Sequence, residues 1–233
     1  MSGNLGYTYD FLFPDGKRTR FSLELEGDTL SLLPEPQLKY PDWAALHQNK
    51  CPNCLLDEGQ EPYCPVAVSL VSPVEIFRDS LSYEEAEVTV ECPERGYHKA
   101  TSLQTGLSSL FGLIMATSGC PSLEKLKPLA RFHLPFATSD ETVFRVMGAY
   151  LLAQYIRQKE GGDADWDLKY LESMYDSIRE VNKHVVERLH NIKDIRDASL
   201  NALINLDCFA INIKMSIDLS AIEEIKALFS AYM

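Results

Sequence analysis

Positive charge is scarce in this chain. Its 233 residues carry 22 Lys and Arg against 34 Asp and Glu, a formal net charge of -12 with a sequence pI near 4.9. No Lys- or Arg-rich run interrupts that balance. A surface of this sign repels phosphate backbones, so nucleic acid is not an expected partner. Long apolar runs are missing as well. The longest, LFGLIMA from Leu110 to Ala116, falls far short of the ~20 residues a membrane-spanning helix needs. The opening MSGNLGYTYDFLF has no basic segment followed by an apolar stretch, and the closing FSAYM carries no lipidation signal. We therefore expect no membrane partner and a cytoplasmic location. Absent too are G-x-S-x-G, the P-loop, G-x-G-x-x-G and H-E-x-x-H. No enzyme mechanism is expected.

What remains is ordinary globular material. The hydrophobic share is 45% and the charged share 24%, enough for one sizeable core or two modest ones. The first part reads as β-structure. Tyr7, Tyr9, Phe11 and Phe13 alternate with Thr8, Asp10 and Leu12, and Phe21, Leu23 and Leu25 alternate with Ser22, Glu24 and Glu26 across a Pro-Asp-Gly-Lys turn. TLSLL predicts a short third strand. A second hairpin follows, in which Ala86, Val88 and Val90 oppose an acidic face of Glu85, Glu87 and Glu91, with PERG as the turn and YHKATSL as the return strand. Between the hairpins, Val66, Leu70, Val74, Phe77 and Leu81 recur at helical spacing, with Pro73 set to kink the segment or delay its start. The stretch from Leu103 reads as a buried helix.

From residue 138 the pattern is helical. Thr138 with Glu141 makes a capping box, and Gly161–Gly162 ends the helix it begins. Leu171, Met174, Ile178, Val181, Val185, Leu189 and Ile192 form one apolar stripe. The segment DASLNALINLDCFAINIKM is apolar nearly all round and should be central to a bundle, with Cys208 in the core. A last helix is predicted from a second box, Ser220 with Glu223, burying Ile222, Ile225, Leu228, Phe229 and Tyr232. The expected fold class is α+β: an antiparallel sheet of two hairpins with helices over 1–135, then a helical bundle over 136–233 packed against it.

Six cysteines in a reducing compartment are free thiols or ligands rather than structural disulfides. Cys51 and Cys54 form a C-x-x-C pair, the spacing that lets a tight turn aim two sulfurs at one ion. Cys64 follows after an acidic loop. His47 and the distant Cys120 are the candidates for a fourth ligand. Cys64 and Cys120 each precede a proline that is read as opening a helix. Each would then be an N-cap, where the helix dipole favours thiolate. We therefore expect Cys51, Cys54, Cys64 and Cys120 to form a four-thiolate site. Zinc is the leading occupant and an iron–sulfur cluster the rival, although the chain lacks the C-x2-C-x2-C run of bacterial ferredoxins. A redox dithiol is a further reading, disfavoured because Cys51 does not open a helix after a strand.

Other candidates read as structural. Asp163, Asp165 and Asp167 have EF-hand spacing, but Leu168 and Met174 stand where Gly and Glu are needed. They read as an acidic helix start. Glu187 and His190 make one Glu-x-x-His pair without a second, and fall on a surface face. His133, beside Arg131 in ARFHLPFA, is a candidate acid/base group or part of a ligand pocket, though more often such a histidine is structural. Cys92 ends a strand and is read as structural.

The blocks CPNC, YCPVAVSLV, FRDSLSYEEAEVTVE, GLSSLFGLIMATSGCP, RFHLPFATSDET and YLLAQY together resemble a family of uncharacterised bacterial proteins, a domain of unknown function, over most of residues 40–210. The resemblance implies that Cys51, Cys54, Cys64 and Cys120 lie in the family's recognisable blocks and transfers no role to them. The expectation is a non-enzymatic protein with a structural zinc-type cysteine site, acting as a regulatory or interaction module on a protein partner not identified by the sequence. A redox or iron–sulfur protein is the alternative. The acidic, helical surface is compatible with a homodimer.

Overall fold

A computed structural model describes residues 3–33, 39–217 and 226–233. Two hairpins build one four-stranded antiparallel sheet. β1 (Leu5–Leu12) and β2 (Arg18–Leu25) turn at Gly16, whose φ of 85° belongs to the left-handed region that glycine enters freely. β3 (Glu85–Cys92) and β4 (Arg95–Ser102) turn at Pro93–Glu94. The strand order is β2-β1-β3-β4, and the hairpins join through β1 and β3, with Tyr9 opposite Val90 and Phe11 opposite Val88. The alternation then sorts the faces. Tyr7, Tyr9, Phe11, Ala86, Val88 and Val90 are buried, while Glu85, Glu87 and Glu91 face water.

The buried face is covered by α2 (Leu103–Thr117), and Gly106 is where the two layers come closest. A Cβ there would stand 2.7 Å from Phe11 and 3.0 Å from Val88. Before it, α1 (Pro65–Ile76) starts at Pro65 and runs through Pro73, so the proline does not delay the start. Only one turn lies beyond Pro73, which limits what its missing N–H removes.

The helical part consists of α3 (Lys127–Arg131), α4 (Ser139–Lys159), α5 (Lys169–His190) and α6 (Ala198–Ile217). The α4 capping box is complete: Glu141 N donates to Thr138 Oγ1 at 3.2 Å, and Thr138 N donates to the Glu141 carboxylate at 2.8 Å. α6 packs against both α5 and α2, so one hydrophobic core runs from Leu5 to Ile213. No described helix is long and apolar enough to cross a membrane.

Four local expectations are corrected. Residues 28–33 form no third strand; Leu32 makes one bridge to Leu25 and spends its N–H on Thr117 O at 2.8 Å, at the end of α2. Pro121 opens no α-helix. The chain instead turns from Cys120 to Leu123, then takes a 3-10 turn before α3. α6 is one-sided. Ala202, Leu203, Ala210 and Ile213 are buried, whereas Cys208 is exposed, because α2, α5 and α4 pack against α6 without surrounding it. At the C-terminus, Ala227–Tyr232 is a 3-10 turn in which Leu228 and Tyr232 are exposed. Phe229 stacks on Phe144 of α4 with centroids 6.4 Å apart, and the Tyr232 ring lies tilted against it at 6.2 Å. The predicted box at Ser220 and Glu223, with Ile222 and Ile225, lies outside the described residues.

Candidate functional site

The segment from Asp42 to Cys64 forms a folded loop held by few bonds in the right places. Ala45 bridges to Tyr63, Leu46 N donates to Pro62 O at 2.8 Å, and Cys64 N donates to Ala44 O at 2.9 Å. These place Cys64, the N-cap of α1, against the base of the loop. Farther out, Cys54 N donates to Cys51 O at 3.0 Å and closes the C-x-x-C turn. Asn53 Nδ2 donates to Ser177 O at 3.1 Å, pinning that turn to α5. Cys120 lies in the turn after α2, closed by Leu123 N donating to Cys120 O at 2.9 Å, where the backbone N–H groups of Ser122 and Leu123 favour its thiolate.

These four cysteines come together. Cys64 is buried in the hydrophobic core, and Cys51, Cys54 and Cys120 are half-buried against that core. Each of Cys64, Cys120 and Cys54 acts electrostatically on Cys51, and Cys64 and Cys54 act on Cys120. For Cys120 the expectation of a lowered thiol pKa is overturned. Desolvation, then the neighbouring thiols, push Cys51 up to about 12; desolvation pushes Cys120 up to about 11 despite its two N–H donors. The dipole argument fails for Cys120 because no α-helix begins there, and burial dominates for both. Among the described residues, no three His, Cys, Asp or Glu side chains stand in an arrangement that could hold a metal ion.

Beside the thiols lies Arg188 of α5, only 1% exposed. Its guanidinium donates to Trp43 O at 3.0 Å, Ala45 O at 2.6 Å and Leu46 O at 3.1 Å, with Nε buried and unpartnered. It acts on Cys51, where it favours the thiolate. None of its partners is a carboxylate. Sequence reading passed over this residue, although a signal existed: position 188 is seven residues beyond Val181 and three beyond Val185, which puts a charge on the apolar stripe.

The remaining candidates separate. His47 is exposed and contacts Gln48. Cys92 donates to Arg95 O at the second hairpin turn. Asp165 accepts from Tyr150 Oη and Tyr170 N, both at 2.7 Å, so it is spent on starting α5. Glu187 lies 3.9 Å from His184 rather than facing the core with His190, which is exposed.

His133 lines an open cavity of about 510 Å³ bordered by β4, α2, the 123–137 segment, α4, α5 and α6. Its Nε2 pairs with Tyr9 Oη at 2.5 Å, and Tyr9 Oη pairs with Ser109 Oγ at 2.8 Å. Desolvation, then Arg145, hold His133 down to about 3, so its ring is neutral at physiological pH. Burial raises Tyr9 well above the usual tyrosine range. The walls are mostly apolar, with Arg145 as their inner cation. Neither Arg145 nor Ser109 stood out in the sequence, since α4 has no apolar stripe on which Arg145 would interrupt the pattern and α2 is apolar nearly all round.

A model of one protein family, a domain of unknown function (DUF6901), matches residues 7–230. The chain belongs to this family. The DUF6901 match takes in the sheet, the thiol loop and the helices through α6, so both candidate regions fall inside it. No curated protein and no solved structure matches the chain.

Proposed function

We propose that this DUF6901 protein is a non-enzymatic interaction module whose Cys51, Cys54, Cys64 and Cys120 bind one structural zinc ion. The supporting observation is that three separate pieces of chain, the 51–54 turn, the start of α1 and the turn after α2, bring four thiols within electrostatic reach of one another. The chemistry fits the donor set: four thiolates suit a closed, tetrahedral structural site. Charge fits as well. Four thiolates around a dication leave a net charge of two minus, and Arg188 is a buried cation with no carboxylate partner beside them. The sulfurs as placed are not a ligating set, so binding would turn the cysteine side chains about χ1 toward a common centre. Loss of thiol protons on binding would offset the burial that holds them neutral.

The interaction half of the reading rests on α4. Leu151, Leu152, Tyr155 and Ile156 are all exposed along one side of it, an apolar row of the kind that protein contacts cover. The reading includes a cytoplasmic setting, where thiols stay reduced.

The test is elemental analysis and a visible spectrum of protein purified anaerobically from zinc-supplied medium. One zinc per chain with no absorption near ~400 nm is expected, and Cys120→Ala should lose it. Absorption near ~400 nm with bound iron would favour the cluster alternative on the same residues. Wild-type protein without metal would end the zinc reading.

A further inference from the structure

The cavity around His133 is a second, independent site. Its volume of about 510 Å³ lies in the range of small-molecule pockets. Leu113, Met115, Leu126, Leu129, Phe136 and Phe209 give it an apolar body. The residues that line it include Arg145 and Lys99 but no Asp or Glu, in a chain whose net charge is -12. Arg145 is the unusual member. Its hydrogen bonds, to Leu129 O at 3.0 Å and Phe132 O at 2.7 Å, both come from Nη2, and it forms no ion pair among the described residues. The nearest acid acting on it, Glu141, is engaged with Thr138 in the α4 cap. Burial already works against its charge. A partly buried guanidinium with Nη1 and Nε outside its protein bonds is a receptor for a planar anion. His133 adds no charge, because it is neutral and paired with Tyr9.

We propose that this cavity binds a small organic carboxylate with an apolar body, its carboxylate on Arg145 and its chain or ring among Leu126, Leu129 and Phe209. A carboxylate fits better than a phosphate. The site offers one guanidinium, with neither a glycine-rich loop nor a second inner cation to match a doubly charged group. The proposal does not depend on the thiol site, and metal content is not expected to change with its variants.

The experiment is calorimetric titration of the full chain with straight-chain carboxylates from hexanoate to dodecanoate and with 4-phenylbutanoate. Each is paired with its neutral alcohol. At least one carboxylate should bind tenfold or more tighter than its alcohol, and Arg145→Gln should erase that difference. Leu206→Trp, which narrows the cavity without touching Arg145, should weaken acid and alcohol alike by tenfold or more. It serves as the control if Arg145→Gln fails to fold. Silence across the whole panel overturns the proposal. So does equal affinity for acids and alcohols, or binding that Leu206→Trp leaves unchanged.

Discussion

The thiol cluster and the His133 cavity are built on the same theme and end in opposite states. Each has titratable groups pushed to their neutral form by burial: Cys51 and Cys120 upward, His133 downward. Each has an arginine from the helical part that meets backbone carbonyls instead of carboxylates, Arg188 in one and Arg145 in the other. They differ in what surrounds the arginine. Arg188 is closed in by three carbonyls and by thiols that can become anions, so its countercharge can come from within the protein. Arg145 spends one nitrogen on carbonyls and faces open space, so its countercharge must come from outside. The same residue type therefore supports a folding device in one place and a receptor in the other. The deciding factor is the number of donors left over.

The strongest way to break that comparison is Arg188→Met. It leaves three carbonyls in a buried loop without their donor, and loss of a buried, hydrogen-bonded charge of this kind costs about 3–5 kcal/mol. Urea unfolding should show a loss of that size. A loss near zero would mean that the 43–46 loop is held by other contacts and that Arg188 is no counterpart to the thiols.

The next test separates the two faces of the thiol cluster by pH. With no metal supplied, the folded thiols have pKa values raised above the ordinary 9.0, to about 12 and about 11. The folded state then holds protons that the unfolded state gives up. Stability is therefore intact below pH 9 and falls as pH rises through the window up to about 12. At pH 10.5 the combined loss for the two half-buried groups is about 2–3 kcal/mol after allowance for screening. Cys51→Ala with Cys120→Ala should flatten that slope in chemical unfolding. Zinc should reverse its sign, because bound thiolates lose stability on acidification. An unchanged slope with zinc would detach the metal from the fold.

For the cavity the sign runs the other way. His133 is lowered from 6.5 to about 3, so its contribution is present above pH 6.5 and is lost as pH falls toward 3. By pH 5 the loss reaches at most about 2 kcal/mol. His133→Gln should reduce the slope of stability between pH 6.5 and 5, and an identical slope would show the ring to be solvated. The smallest expected effect is at the start of α4. Thr138→Ala removes the box that seats the helix carrying Arg145, at about 1 kcal/mol in thermal or urea unfolding. It should leave the thiol cluster's zinc content unchanged.

Much of the architecture was legible because it follows period and punctuation. The alternation at Tyr7–Phe13 and Ala86–Val90 placed both hairpins, and Thr138 with Glu141 placed the start of α4 to the residue. The failures have specific causes. Leu32 was drawn away from strand pairing by a carbonyl at the end of α2, a competitor distant in sequence. Pro121 carries the signal of a helix start, but the chain needs a turn there to reach α3. Cys208 shares the apolar character of α6 and yet is exposed, since composition gives a helix no direction until its neighbours are known.

By itself the sequence determined the acidic, α+β character of the chain, its hairpins, the helix caps at Cys64 and Thr138 and the four cysteines worth watching. These are local matters, set by side-chain period, turn chemistry and charge. Only the tertiary structure decided that Cys120 meets the 51–64 loop, that burial there raises rather than lowers the Cys51 and Cys120 pKa values, and that two inward-turned arginines have so different a supply of partners. Burial and electrostatic neighbourhood arise from packing between segments far apart in the chain, and no local pattern encodes them.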